Sequence, residues 1–396
     1  MLYRVCLILV FIGVQHLSAQ SIKSKASPFI EVEAFYSLLV PNYPSAPKPG
    51  NAYASTFSFG YQTKKDSSWQ AYYGYPQTGI QFSYLHVQNQ KDYGSQFAFN
   101  PFICFNRPFG TKHSLDFKLG LGMAYHTAPY DSIDNPTNLA IGSPYSWYFN
   151  ANMAYRFVLN KRLHLKFGAG FWHASNGHTR LPNFGQNYGV FGLGLQYYPG
   201  EENPYTKYER TKVDRSKKYY YLRAGLGFGL HEYGGTTEPI GGPKYLISSA
   251  SLAFGVVFRK YLLVKTGLAY QYYSSYAHSQ IRKEFPSFDG LKQKAASNLI
   301  LFLGTELMFG HLSFDLQGGL NLWKPYFSSF YDKYEDRSKF DKTMKLLFST
   351  RLGLNLYAIN TAKNPKHNFS IGVFMNANYG QADFSSIFTQ YSFRLK

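Results

Sequence analysis

Leu115-Asp-Phe-Lys-Leu-Gly-Leu-Gly-Met-Ala124 alternates without a slip. Leu115, Phe117, Leu119, Leu121 and Met123 fall on one side, and Asp116, Lys118, Gly120, Gly122 and Ala124 on the other. Successive side chains of an extended chain point to opposite faces, so this is a strand with one greasy face and one polar or small face. The pattern returns at Leu163, Leu165, Phe167, Ala169 and Phe171 against His164, Lys166, Gly168 and Gly170, and at Phe191, Leu193, Leu195 and Tyr197 against Gly192, Gly194 and Gln196. It recurs at Leu312, Phe314 and Leu316 against Ser313, Asp315 and Gln317, and along Leu346, Phe348, Leu352 and Leu354 against Ser349, Arg351, Gly353 and Asn355.

Alternating segments of about ten residues separated by turns are the signature of a transmembrane β-barrel. A soluble sandwich would alternate too. Aromatic clusters at strand ends, Tyr197 with Tyr198 and the run Tyr219 to Tyr221, suit the girdles of a membrane barrel. Glycines on the polar face suit a narrow lumen, where a missing side chain makes room for its neighbours.

Composition agrees. Among 396 residues there are 36 Tyr, 35 Phe and 35 Gly; 19% are aromatic and only 16% charged, which excludes disorder and a coiled coil and argues against a helix-rich soluble enzyme. Arg4, an apolar run from Val5 to Val14, and small residues at Ser18 and Ala19 read as a secretory signal over residues 1–19. Beyond it no apolar run reaches the roughly 18 residues of a membrane helix. Cys6 lies within the signal and leaves Cys104 alone, so neither an internal disulfide nor a zinc site is expected.

Counting segments gives about sixteen antiparallel strands. Short connections fall at Asn160–Lys161, Phe258–Tyr261 and Phe309–His311, and long ones at 127–144, 275–293 and 324–342. The stretch from Thr63 to Gln77 is long where a short turn is due. The chain divides into similar halves, 20–199 and 219–396, joined by a charged segment, 200–218, that cannot cross lipid and reads as a periplasmic linker. Two tandem eight-stranded barrels and one sixteen-stranded barrel both satisfy this count.

One segment is richer in polar chemistry than a barrel wall needs: Phe171-Trp-His-Ala-Ser-Asn-Gly-His-Thr-Arg-Leu-Pro-Asn183, continuing to Asn187. Strand parity carries His173, Ser175 and Asn187 to the lipid side, where polar groups are costly without partners or purpose. A base, a hydroxyl and an orienting amide are the components of an activated nucleophile. Ser-Asn-Gly by itself is an ordinary turn. His126 and His178 are the histidines that could join His173 around a metal, but no carboxylate or ordered spacing supports one.

The run HASNGHTRLPNFG, with a glycine-alternating strand after it, resembles the lipid A 3-O-deacylase (PagL-type) family, over about Phe29 to Tyr198 and most sharply from Gly168 onward. The resemblance implies an eight-stranded outer-membrane barrel that hydrolyses an ester-linked acyl chain of lipid A in lipopolysaccharide, without a cofactor. It makes Ser175 the nucleophile and His173 its base, with Asn176, Gly177 and Asn183 as candidates to stabilise the oxyanion. The family has a glutamate where this chain has Asn187, which can orient the imidazole but cannot stabilise its cation by charge. Arg180 is a candidate for gripping lipid A phosphates.

Aligning Gly170 with Gly372 sets His173 against Met375 and Ser175 against Ala377, so the second half reads as catalytically empty. The net charge of +19 fits a phosphorylated lipid partner, and no nucleic-acid motif accompanies it. The competing function is a non-enzymatic barrel, a porin or surface-binding protein.

Overall fold

The computed structural model describes residues 26–63, 69–200, 217–278, 281, 283–285, 291–334 and 338–395. The expected signal peptide and nearly all of the charged linker lie outside the described residues.

The strands form two closed antiparallel barrels of eight, with neighbours in chain order throughout. The first holds β1 (Ala26–Val40), β2 (Ala52–Thr63), β3 (Gln77–Val87), β4 (Ser95–Phe109), β5 (His113–His126), β6 (Tyr145–Val158), β7 (Leu163–Ser175) and β8 (Gln186–Tyr197). The second holds β9 (Lys218–Glu232), β10 (Lys244–Phe258), β11 (Leu262–Tyr273), β12 (Ser297–Phe309), β13 (Leu312–Trp323), β14 (Phe348–Tyr357), β15 (His367–Asn378) and β16 (Gln381–Arg394). β1 pairs with β8 from Ile30↔Tyr197 to Val40↔Asn187, and β9 pairs with β16, so each sheet closes on itself and leaves no unpaired edge in lipid. The single sixteen-stranded barrel is thereby excluded.

Period two decides what faces where. Leu115, Phe117 and Met123 are exposed on the outer wall, while Asp116 and Lys118 are buried inside. The aromatic clusters are split by the same rule: Tyr197 and Tyr220 face outward, but Tyr198 and Tyr221 turn inward. Tyr198 takes a hydrogen bond from Gln77 Nε2 at 2.6 Å, so it belongs to the lumen and not to a girdle. The expected strand at Leu346 is also corrected, since Lys339–Leu347 is a helix and the extended chain begins at Phe348. Its Ser338 cap accepts the Asp341 N–H, and this local capping overrides the apolar spacing.

Both lumens are crossed by buried ion layers. In the first barrel Lys118 pairs with Glu31 and Glu33, Lys166 with the same two carboxylates, and Arg156 with Asp116 at 2.9 Å. In the second, Arg223 meets Glu306 at 2.6 Å and Lys265 meets Asp315 at 2.5 Å. Buried charges persist only when paired and hydrogen-bonded, and these networks cross the interior that eight strands enclose.

The barrels stand side by side in the same orientation. Long connections gather at one end, with a tight turn at Tyr379–Gly380 as the exception. The anomalous stretch before β3 explains itself at the other end. There the short helix Trp69–Tyr72 and Tyr73 reach across to the second barrel. The Tyr73 hydroxyl donates to the Tyr261 carbonyl at 2.6 Å, and Trp69 and Tyr73 pack against Phe309 with ring centroids 5.2 and 5.3 Å away.

Candidate active site

The register of three strands assembles the site. β6 and β7 set Phe149 against His173 and Trp147 against Ser175, and β7 and β8 set His173 directly opposite Asn187. That cross-strand position lets residues fourteen apart in sequence meet: His173 Nδ1 lies 2.7 Å from Asn187 Oδ1. An amide oxygen only accepts, so Nδ1 carries the proton and Nε2 is left as the basic nitrogen. The ring also stacks near Phe171, at 6.5 Å and 13°.

Ser175 ends β7 and is buried beneath the β7–β8 loop. Asn183 folds back over it, with Nδ2 donating to Ser175 Oγ at 3.2 Å and Oδ1 accepting the Asn176 N–H at 3.0 Å. The Gly177 N–H points at Ser175 Oγ from 3.4 Å. Asn176 turns its side chain away and donates to the Arg180 carbonyl at 2.5 Å. Among the described residues no hydrogen bond joins His173 to Ser175. The two converge on Gly185 instead: a Cβ built there would stand 2.8 Å from His173 Cε1 and 3.5 Å from Ser175 Cβ. Gly185 has φ +77°, a conformation that favours glycine, so both backbone and space require it.

These contacts divide the expected oxyanion group. The Gly177 amide is aimed at Ser175 Oγ. The Asn176 amide is occupied by Asn183, and Asn183 itself clamps the loop to the serine. Arg180 is exposed at the rim and adds to the field at Asp131, whose carboxyl is held below its ordinary value mainly by the amides of Asp134 and Ile133. His126 sits elsewhere, buried and bonded to Ser146 Oγ at 2.8 Å, and His178 turns toward the Gly234 carbonyl at 3.2 Å. Neither approaches His173 as a shared ligand would require.

Sequence reasoning missed the loop's supports. The Gly185 N–H donates to the Ala140 carbonyl at 2.8 Å, Asn42 Nδ2 donates to the Phe184 carbonyl at 2.6 Å, and Tyr43 stacks on Phe184 at 5.1 Å. Burial under this cover pushes the Tyr43 phenol above its ordinary value. No short-range pattern announces such contacts between loops.

Residues 55–198, from within β2 to the end of β8, match the family model described as lipid A 3-O-deacylase (PagL), a family of enzymes. A search of curated proteins finds no match. Similar solved structures include the outer membrane enzyme PagL, 15% identical with a TM-score of 0.30, covering 42% of this chain and 98% of that one. Neisserial surface protein A is 11% identical with a TM-score of 0.30, over 43% of this chain and 97% of that one. The β domain of the Bordetella autotransporter BrkA is 9% identical with a TM-score of 0.22, over 93% of this chain and 98% of that one. The family match and the lipid-facing barrel walls assign the chain to the outer membrane of a Gram-negative bacterium.

Proposed function

We propose that the N-terminal barrel, whose residues 55–198 match the lipid A 3-O-deacylase family, is a serine esterase that removes an ester-linked acyl chain from lipid A. The observation that carries the chemistry is the 2.7 Å contact that Asn187 of β8 makes with His173, which lies two residues before Ser175 on β7.

Ser175 Oγ attacks the ester carbonyl while His173 Nε2 takes its proton, and Asn187 holds the ring in the required tautomer. Negative charge develops on the carbonyl oxygen, and the Gly177 N–H is the nearest backbone donor to receive it. The C–O bond to the sugar then breaks, and the leaving alkoxide takes the proton from His173. Water, deprotonated by the same imidazole, attacks the acyl-serine, releases the fatty acid and returns the hydroxyl. The buried site removes competing solvent, which strengthens each of these interactions. Arg180 at the exposed rim serves the phosphates of the same lipid.

The site lies at the long-loop end, which in bacterial outer-membrane barrels faces outward, so the substrate is taken from the outer leaflet. Residues 1–19 act as the signal, and 200–218 link the barrels on the periplasmic side. The C-terminal barrel holds no second esterase: where β7 and β8 are joined by the site loop, β15 and β16 are joined by Tyr379–Gly380, and Met375 and Ala377 stand in for His173 and Ser175.

Mass spectrometry of lipid A incubated with detergent-solubilised protein tests the proposal. Wild type is expected to remove one acyl chain, and Ser175→Ala and His173→Ala to lose at least about a thousandfold in rate. Folded wild type that leaves lipid A intact, or a Ser175→Ala variant that still cleaves it, would overturn the assignment.

A further inference from the structure

The loop that covers Ser175 is held from outside its own barrel. At the end of β9 the Glu232 N–H donates to the His178 carbonyl at 3.0 Å, and the Asn183 N–H donates to the Thr236 carbonyl at 2.9 Å. His178 Nε2 lies 3.2 Å from the Gly234 carbonyl. A Cβ built on Gly177 would fall 2.2 Å from Ser385 Oγ, so the Gly177 backbone rests directly on β16. The same hydroxyl accepts the indole N–H of Trp147, the cross-strand neighbour of Ser175, at 2.9 Å. Leu181, fully buried, packs against Gly234.

These contacts reach the two loop residues that matter most to Ser175. Gly177 supplies the amide aimed at its oxygen, and Asn183 supplies the side chain laid over it. Backbone hydrogen bonds accept almost any sequence but demand a fixed distance and direction. They therefore act as a gauge that sets where the loop stops. Donors that stabilise an oxyanion have to be in place before charge develops, because small displacements are expensive in rate.

We infer that the C-terminal barrel is a positioning scaffold for the active site: its β9–β10 loop and Ser385 set Gly177 and Asn183 against Ser175, and turnover depends on that contact. The inference rests on the reading of Ser175 as the nucleophile. Ser385, Gly234 and Thr236 are positioning residues that touch no reacting atom. The scaffold gives the second half a purpose without a second set of catalytic groups.

The test is a graded series at Ser385 in the full chain, with folding verified by heat-modifiable electrophoretic mobility. Ser385→Ala loses one hydrogen bond and is expected to lower kcat two- to fivefold. Ser385→Leu and Ser385→Phe press a larger side chain against Gly177 and are expected to lower kcat by at least tenfold and a hundredfold, with KM within twofold of wild type. Labelling of Ser175 by a fluorophosphonate should slow in the same order. Leu226→Phe, on the lipid-facing wall of β9, is expected to change neither.

Hydrogen exchange reads the docking without reference to activity: the Asn183 and Glu232 amides should be protected in wild type and lose protection in Ser385→Phe. Full kcat in folded Ser385→Phe, a loss carried by KM alone, or unprotected Asn183 and Glu232 amides in wild type would each overturn the inference. Wild type that neither cleaves lipid A nor takes the label fails earlier, at the reading of Ser175, and the inference falls with it.

Discussion

Asn187 is the residue whose exchange is most informative. Its amide oxygen orients His173 as a carboxylate would, but it brings no negative charge to the imidazolium that the proposed attack would form. Asn187→Glu is expected to raise kcat by roughly tenfold, about 1.4 kcal/mol of transition-state stabilisation, while Asn187→Leu should lower it. Steady-state hydrolysis of an ester substrate distinguishes the two directions. Gly185 tests the space between base and nucleophile. Gly185→Ala adds a methyl 2.8 Å from His173 Cε1 at a positive φ, which itself costs on the order of 1 kcal/mol. A fall in kcat of tenfold or more in a folded barrel is the expected result, read by the same assay. The meeting of His173 with Asn187 was legible in the sequence because period two sets both on one face of neighbouring strands, whereas Ser175, expected on the lipid side, is buried under the loop. Gly177 and Asn183 were named only through the family resemblance; the contacts by which an amide of one and the side chain of the other reach Ser175 could not be read, because a loop has no period from which its geometry can be counted.

At the level of elements, alternation carried most of the information and failed where a local signal competed. The strands around Leu115, Leu163 and Phe191 emerge with the expected faces. The tyrosine clusters do not all serve the membrane interface, since consecutive residues of one strand cannot share a face. Leu346 continues an apolar spacing that a capped helix consumes instead. The inward faces also predict stability. Glu31 pairs with both Lys118 and Lys166 while almost wholly buried, so Glu31→Gln strands two ammonium groups with reduced compensation. Breaking a buried pair typically costs about 3–5 kcal/mol, and a loss near that size is expected in urea unfolding of the protein in lipid vesicles. A change under about 1 kcal/mol would mean that the layer is less tightly coupled than its short contacts imply.

For the whole molecule, strand number and the similarity of the halves could be read from the chain, but closure could not. Whether Ile30 meets Tyr197 or a strand of the other half is a matter of pairing across more than 160 residues, and period two is blind to it. The long stretch before β3 was equally opaque, because its partners at Tyr261 and Phe309 lie in the second barrel. Closure into two narrow barrels whose interiors are crossed by buried ion pairs has a direct electrical consequence. Planar bilayers containing the protein are expected to show no unitary conductance steps; ion-sized steps would mean that the paired charges open a path, and would favour a porin.

The barrels touch at both rims, through Trp69 and Tyr73 at one end and through the loop at Gly177 and Asn183 at the other. Two fastenings so far apart resist tilt and roll, so the pair presents the membrane with a single oblong cross-section. Such a body turns more slowly in the plane than a disc, and it screens part of its own perimeter. With Trp147 turned toward Ser385, the flank left apolar and open beside the site is the one where Val40, Leu38 and Phe191 stand exposed, and the proposed function takes its lipid from there. Of all the lipids that brush the molecule, the proposed reaction would draw on those arriving along that one shore.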